Sequence, residues 1–319
     1  MLSVIWWIYD GYVWLTNALT LDVLAHRLFL LGGMGGFLIM ALAIPTAFDG
    51  SGTAFGLGYL AVVALHSGLY MRQTSAREAA AIRGIVPYNL LAALMLLVGG
   101  AAGGDTQWAL FVAAALLLWG VPLLVSLEGF TIAAEHFVER HGLVVIVALG
   151  ESIVVLGVGA GGEKVGLELA LIALLGLALS ASLWWTYFAH EDSVGHAMLA
   201  APHAERPRLA ISFGYVHIFL LLGVVLLATG LKKAIPEPLD PLEDATAVAL
   251  AFGTALFLAG DFVLLRLLAI VQSPLRAAAA VAVLATIPIG AAISAALQVA
   301  AIVAIVAASI AASRDRTTG

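Results

Sequence analysis

The sequence predicts an all-α, polytopic transmembrane helical bundle of about eleven spans, with residues 1–319 forming a single integral membrane domain. Of the 319 residues, 63% are hydrophobic and only 11% are charged, whereas an average soluble chain is about 25% charged. Apolar tracts of roughly 20 residues, the length that crosses a bilayer, alternate with clusters of charge, Gly and Pro. The basic residues also collect on one side of these tracts, as the positive-inside rule requires of a correctly divided membrane chain.

Eleven tracts meet the length requirement for a span. The last two come from one apolar stretch, 277–312, which is about twice as long as one span and is divided at Pro288 and Gly290, where the backbone can break. In chain order the predicted spans are 2–20, 27–47, 55–71, 85–101, 108–127, 143–161, 168–188, 210–230, 246–265, 277–293 and 295–312. The longest predicted loops are 189–209 and 231–245, and neither is long enough to bury a core of its own.

All but three of the 14 basic residues fall on one side of these spans. The exceptions are Lys164, Lys232 and Lys233, which lie in loops on the opposite side. Because short loops rich in Arg and Lys remain in the cytoplasm, we expect the amino terminus outside and the carboxyl terminus in the cytoplasm. An odd number of spans follows from this orientation.

Composition excludes several classes of function. The chain has no cysteine, which excludes disulfides, cysteine-ligated zinc, iron–sulfur clusters and thiol catalysis. A net charge of -6 gives no basic footprint for nucleic acid. Phosphate-binding loops, hydrolase elbows and paired metal-binding histidines are also missing from the sequence. We therefore expect no cofactor, no bound metal and no nucleic-acid partner, and we identify no catalytic residue.

The first span carries an acidic residue among aromatic ones. Asp10 lies at mid-depth between Trp6 and Trp14, and Asn17 follows two turns along on the same helical face. In the second span Gly32 and Gly36 form a G-x-x-x-G pattern, which lets two helices approach closely. An ionisable group inside a span costs about 2.5 to 3.5 kcal/mol to insert. Asp10 is therefore either a satisfied structural residue or part of a proton or substrate pathway.

The sixth span contains the acid that the sequence places deepest. Glu151 is eight residues inside the span from Gly142, too far for a short carboxylate to reach water, so we expect it to face protein or a wet cavity. The glycines around it, Gly150, Gly157 and Gly161, form a narrow strip and are interpreted first as packing devices. Glu151 is the main candidate for conduction or proton exchange.

A run of charge precedes this span. Five of the seven residues from 135 to 141 are ionisable: Glu135, His136, Glu139, Arg140 and His141. Glutamate–arginine pairing could pin the helix end at the membrane surface, the run could line a cytoplasmic vestibule, or it could simply be a solvated face.

Three further ionisable residues lie within predicted spans. His217 is about two turns into the span 210–230 and joins the candidate proton pathway. His66 and Asp261 lie about one turn from the ends of their spans, where long or polar side chains snorkel or cap a neighbouring helix, and we interpret them mainly in that way.

One segment identifies a family resemblance. The stretch AEHFVERHGLVVIVALGESIVVLG at 134–157 resembles the signature of the bacterial low temperature requirement A (LtrA) family, with the core E-R-H-G-L-x-x-I-x-x-L-G-E-S. The segments 6–17 (WWIYDGYVWLTN), 183–190 (LWWTYFAH) and 214–231 (GYVHIFLLLGVVLLATGL) are similar in the same order. The resemblance implies a multi-pass protein of the bacterial cytoplasmic (inner or plasma) membrane, named for a cold-growth phenotype. The motif residues it implies are Glu139, Arg140, His141, Gly142, Gly150, Glu151, Ser152 and His217.

Two departures from the family pattern are visible. The family usually has a helix before the tryptophan-rich one with which this chain starts, so either the start is internal or this member is shortened by one span. Ala189 also stands where the family commonly places an aspartate. Either His190 substitutes for that aspartate or its role is lost.

The sequence thus predicts a proton-linked transporter or channel for a small solute or ion. The predicted pathway residues are Glu151, Asp10, His217, Ser152 and Asn17, with the run from Glu135 to His141 in support. One alternative is a membrane-embedded enzyme or lipid-handling protein that uses this run at the cytoplasmic surface. Another is a cold-adaptation scaffold without turnover. The expected partners are the lipid bilayer, the small solute or ion and, in a homo-oligomer, further copies of the chain.

Overall fold

Helices account for all regular structure in the described part of the chain. The computed structural model describes residues 1–18, 23–73, 75–161, 164–270 and 274–314, and this confirms the all-α class. The side chain of Asn17, one of the predicted pathway residues, lies outside the described part. The α-helices are α1 (Leu2–Ala18), α2 (Leu24–Ala43), α3 (Gly52–Gln73), α4 (Ala76–Ala102), α5 (Gly104–Leu124), α6 (Ala134–Gly159), α7 (Leu167–Phe188), α8 (Glu191–Ala200), α9 (Arg206–Ala234), α10 (Asp244–Leu267), α11 (Leu275–Leu284), α12 (Ile287–Ala292) and α13 (Ala295–Arg314).

Within the described ranges, nine helical stretches are long and apolar enough to cross a membrane. This indicates a multi-pass membrane protein. The nine stretches treat Leu24–Arg72 as one, although Asp49 and Gly50 between α2 and α3 have non-helical backbone angles. Helix α1, with 17 residues, is shorter than the other spans. The count of eleven spans stays a prediction.

The helices pack as two compact units. The first comprises Met1–Phe137 with Pro202–Ile211, and the second comprises Val138–Ala201 with Ser212–Gly319. Helices α6 and α9 therefore contribute residues to both. A single integral membrane domain over 1–319 stays a prediction.

In the first unit, α2 to α5 pack on one another in chain order, and α1 packs against α3 and α5. Glycines set the closest approaches. A Cβ atom on Gly36 would lie 2.5 Å from the Val62 side chain, and one on Gly32 would lie 3.0 Å from Leu65. The predicted role of the G-x-x-x-G pattern in helix packing is thereby confirmed for α2 against α3.

A capping box begins α4. The Ser75 hydroxyl accepts a hydrogen bond from the Glu78 backbone N–H at 3.3 Å, and the Glu78 carboxylate accepts one from the Ser75 N–H at 3.2 Å. Glu78 also accepts a short hydrogen bond from Thr131. These bonds satisfy orphan donors at the start of the helix.

We expect Ser75→Ala to lower the free energy of unfolding of the first unit by about 1 kcal/mol, the usual value for a lost N-cap. Hydrogen exchange of the first turn of α4 in detergent micelles is the measurement, because it reports local opening. Thr106→Ala, at an exposed site in α5, is the control and should change the exchange very little. Equal effects from the two substitutions would contradict the capping role.

In the second unit, α13 packs on α7, α11 and α12, and α10 packs on α11 and α12. The long apolar tract 277–312 is broken, but at two places: α11 ends at Leu284 and α13 begins at Ala295, and the predicted break residues Pro288 and Gly290 lie in the short helix α12 between them. Gly290 makes room for a side chain, since a Cβ atom there would lie 1.8 Å from Gln298 Oε1. One predicted loop is corrected, because 189–209 contains the helix α8.

Candidate functional site

The predicted buried acid, Glu151, is exposed. It lies on the face of α6 that also carries the exposed Val147 and Val154. A Cβ atom on Gly150 or Gly157 would meet no atom of the described chain within 4 Å, so the glycine strip does not bring another described helix close. Glu151 is therefore not buried among the described residues, and the expectation that it faces protein or a wet cavity stays a prediction. Its depth along the helix was readable from the sequence, but its direction around the helix was not.

The other face of α6 is buried. His141, Val145, Leu149, Ser152 and Leu156 follow one another at spacings of three or four residues, and all are buried. This spacing is that of one helical face. The Ser152 hydroxyl has no hydrogen-bond partner in the described part of the chain. Ser152 and His141 therefore point into the second unit, while their neighbour Glu151 does not.

The charged run at the start of α6 is divided in the same way. Glu135, His136, Glu139 and Arg140 are exposed, as expected of a surface run, whereas His141 is fully buried. Of these five residues, only His141 is buried.

The buried His141 lies in a group of rings drawn from three helices. The rings of His141 and His217 have centroids 4.8 Å apart and stand nearly perpendicular. His217 Nδ1 lies 2.8 Å from the Phe213 carbonyl oxygen, and its Nε2 lies 2.8 Å from the Tyr187 hydroxyl. A carbonyl oxygen can only accept, so Nδ1 carries the hydrogen and Nε2 of the neutral ring accepts from Tyr187. The sequence predicted His217 as a site residue and did not predict Tyr187.

Tyr187 also borders a small cavity that leads away from His217. The cavity, about 10 Å³, is lined by Tyr187, Glu191, Asp261 and Gly142 among others. A space of roughly this size holds about one water molecule. Asp261 is buried while Glu191 is exposed. The cavity is thus lined by a tyrosine, a buried acid and an acid at the surface.

Asp261 forms a buried ion pair. Arg276 Nη1 donates to Asp261 Oδ2 at 2.7 Å, with side-chain exposures of 6% and 2%. Arg276 Nη2 also lies 3.5 Å from His190 Nδ1. The interpretation of Asp261 as a snorkelling or capping residue is wrong, because its carboxylate binds an arginine of α11 in the interior. Arg276 lies in the first turn of α11, and no feature of the sequence marks it as buried.

The first unit has its own cavity, of about 50 Å³, beside α1, and most of its lining is aromatic or aliphatic. Asp10 and His66 line it, and both are buried. Trp14 Nε1 donates to Asp10 Oδ2 at 3.3 Å. His66 Nε2 donates to the Gly11 carbonyl at 2.9 Å, which leaves Nδ1 as an acceptor without a hydrogen-bond partner in the described residues. His66 therefore does not snorkel, and the interpretation of it as an interfacial residue is wrong.

The predicted pathway residues thus occupy separate places. Asp10 belongs to the first unit, whereas His217 and Ser152 belong to the second. In the described ranges no three His, Asp or Glu side chains are grouped so as to hold a metal ion.

Comparison with known proteins gives a family and one curated relative. The sequence profile described as "Bacterial low temperature requirement A protein (LtrA)" matches residues 1–311. An uncharacterized protein of Rhizobium meliloti (strain 1021) is 26% identical over 270 residues, which is 80% of this chain. The chain spans 66% of the length of that protein. No solved structure matches the chain.

Proposed function

Since the chain belongs to the bacterial low temperature requirement A (LtrA) family, and since its helices are those of a multi-pass membrane protein, we propose that it is a proton-linked transporter or channel for a small solute or ion. We place the proton-handling site in the second unit, at His217, Tyr187, Asp261 and His141. Glu151, which is exposed, has no part in this site.

The observation that carries the proposal is the position of Tyr187. Its hydroxyl donates to His217 Nε2, and the residue also lines the cavity that Asp261 and Glu191 line. A hydronium ion in that cavity can give a proton to the tyrosine oxygen as the tyrosine passes its own proton to Nε2, and a neutral water is left in the cavity. His217 then becomes an imidazolium, and its Nδ1–H bond to the Phe213 carbonyl is unchanged. One proton enters and one is stored, so atoms and charge balance.

The surroundings favour a functional role for these groups over a structural one. Ionisable side chains that face the interior of a membrane bundle mark proton relays and substrate pathways more often than they mark packing sites. A second histidine, His141, stands beside His217. Because two neighbouring imidazolium rings would repel each other, protonation of one disfavours protonation of the other. The site therefore holds a single exchangeable proton in place of two.

The rival assignment, lipid chemistry at the surface run of α6, receives less support. One member of the run, His141, is buried and lies against His217. The remaining members of the run, Glu135, His136, Glu139 and Arg140, are exposed on the first turns of α6.

We also propose eleven spans in the bacterial cytoplasmic membrane, with the amino terminus outside and the carboxyl terminus in the cytoplasm. The ends of α7 and α13 and the starts of α8 and α11 border one cavity. These four helix ends therefore lie on the same side of the second unit. The charge distribution supports the proposal that all four face the cytoplasm.

The function is tested in proteoliposomes that contain the pH dye pyranine. Pooled amino acids, monocarboxylates, sugars and alkali cations are added outside, with and without an imposed membrane potential, and the internal pH is followed. We expect at least one pool to change the internal pH faster than in empty liposomes. His217→Gln should slow that change by about tenfold or more, the usual order for a lost proton-transfer group.

The matched control is His136→Gln, which makes the same change at an exposed position of α6 and should leave the rate as it is. The proposal would be contradicted if no pool changed the internal pH faster than in empty liposomes. It would also be contradicted if the two glutamine variants changed the internal pH at equal rates.

A further inference from the structure

A second cavity of the second unit has neither His217 nor Tyr187 in its lining. It has a volume of about 520 Å³ and lies where α7 and α13 end and α8 and α11 begin. This volume is within the range of small-molecule sites, about 300–1,000 Å³. The side chains that decide its chemistry are Trp184, Trp185, Phe188, His190, Ser193 and Arg276.

One part of the cavity wall is aromatic. Trp184 and Phe188 have ring centroids 5.5 Å apart, and the rings of Trp184 and Trp185 are 6.3 Å apart. Each tryptophan is 44% exposed, so a large apolar surface remains open. Ile310 of α13 adds aliphatic surface to the lining. Such a wall favours an alkyl or aryl group over a fully hydrated ion.

Another part of the wall is cationic. Arg276 is the only residue with a full charge in the lining described for this cavity. One edge of its guanidinium is held by Asp261, which does not line the cavity. A guanidinium has five N–H donors, and the contacts to Asp261 and His190 engage only Nη1 and Nη2. Because Asp261 fixes the group in place, its remaining donors are pre-organised for an anion that enters the cavity.

Hydroxyl groups complete the polar part. Ser193 at the start of α8 and Ser313 near the end of α13 both line the cavity. The Ser313 hydroxyl already donates to the Ser309 carbonyl at 2.7 Å, so it can offer only its lone pairs to a ligand. Ser193 is exposed. A head group with several oxygens could therefore bind Arg276 and Ser193 together.

We propose that this cavity binds an amphiphile with an anionic phosphate or carboxylate head and an apolar tail. The head binds the guanidinium of Arg276, and the tail lies along Trp184, Trp185 and Phe188. A quaternary ammonium would suit the tryptophan faces alone, but the fixed guanidinium repels it. This site is separate from the proton-handling residues, and its occupancy does not depend on the proposed transport.

The head-group chemistry has two sources, a membrane lipid or a soluble organic anion. Both are probed by bromine quenching of tryptophan fluorescence in purified protein in nanodiscs, because bromine quenches only at short range. The lipid probe is dibromostearoyl phosphatidylglycerol in the nanodisc, with dibromostearoyl phosphatidylcholine for comparison. The soluble probe is 8-bromooctyl phosphate, with 8-bromooctyl trimethylammonium of the same length for comparison.

We expect at least one anionic probe to give saturable quenching that its cationic or zwitterionic counterpart does not match. Quenching by 8-bromooctyl phosphate identifies a soluble anion as a ligand, and quenching by phosphatidylglycerol alone identifies a lipid. Both results support the site. Equal quenching within each pair would overturn it, because the charge of Arg276 would then have no effect on binding.

The location is tested by filling the cavity rather than by removing Arg276, whose loss would disturb folding. Ser193→Phe should weaken the anion-dependent quenching by at least about tenfold, since the new ring occupies the space next to Arg276. Ser126→Phe places the same ring at an exposed serine of the first unit and should change nothing. If both variants bound the probe like the wild type, the anion would bind elsewhere and the proposal would be wrong.

Discussion

Arg276→Leu is expected to lower the free energy of unfolding by about 3–5 kcal/mol, the largest loss we predict for a side-chain substitution. The physical reason is that the charge of the Asp261 carboxylate loses its partner. Asp261 is 2% exposed and binds Arg276 at 2.7 Å. Without the arginine, a carboxylate remains in the interior with no counter-charge, and the cost of its desolvation falls on the folded state. Thermal unfolding of the purified protein in detergent is the measurement.

Two variants show whether the loss comes from the unpaired charge. In Asp261→Leu with Arg276→Leu both charges are removed, and most of the stability should return, because an apolar pair can replace a buried ion pair at little cost. Lys233→Leu breaks the surface pair with Glu243, whose side chains are 57% and 80% exposed, and should have almost no effect. If the double variant were as unstable as Arg276→Leu, an uncompensated carboxylate would not be the cause.

Gly100→Ala is expected to lower the stability of the first unit by about 3 kcal/mol or more, although it adds a single methyl group. A Cβ atom on Gly100 of α4 would lie 2.1 Å from the Gly52 carbonyl oxygen of α3. The nearby Gly56 is equally close, with its Cβ position 2.4 Å from Leu97 Cα. Both obstacles are backbone atoms, so no side chain can turn away, and the two helices must separate.

Gly84→Ala is the matched control for this prediction, because it makes the same change in the same helix. A Cβ atom on Gly84 would meet no atom of the described chain within 4 Å. We expect this variant to be as stable as the wild type or more stable by up to about 1 kcal/mol, since alanine is the better helix former. The free energies of unfolding of the two variants are compared in urea, with proteolysis of the first unit as the readout of unfolding. Similar losses would show that the α3–α4 contact is looser than described.

Much of the fold could be predicted from the sequence. The helices follow from hydropathy and length, and the break in 277–312 follows from Pro288 and Gly290, because proline cannot continue the hydrogen-bond pattern of a helix. The packing of Gly36 on Val62 follows from the G-x-x-x-G spacing. These features depend on residues that are close together in the chain.

The orientation of each helix about its axis could not be predicted. A membrane helix is apolar on all sides, so the hydrophobic pattern does not distinguish the face of Glu151 from the face of Ser152. The two residues are neighbours in sequence and point about 100° apart on the helix. As a result Glu151 is exposed and Ser152 is buried. His66 and Asp261 were misinterpreted for a related reason, since distance to the end of a span says nothing about which helix lies beside it.

The site was partly predictable through the family resemblance. His141, Tyr187 and His217 come from the three segments 134–157, 183–190 and 214–231, which carry the likeness to LtrA proteins. The structure brings these three side chains together in the second unit. Arg276 lies outside all of these segments, and its pairing with Asp261 joins residues 15 positions apart on different helices. Only a structure reveals such a pair.

The central claim is that protons pass through the Tyr187 hydroxyl and not through the acid at Glu151. It is tested most directly by the initial rate of acidification inside pyranine-loaded proteoliposomes after an inward proton gradient is imposed, with a solute pool to which the wild type responds. We predict that Tyr187→Phe, which loses the hydroxyl and keeps the ring, lowers this rate by at least about tenfold, while Glu151→Gln keeps the wild-type rate. A normal rate for Tyr187→Phe together with a lost response for Glu151→Gln would contradict the account.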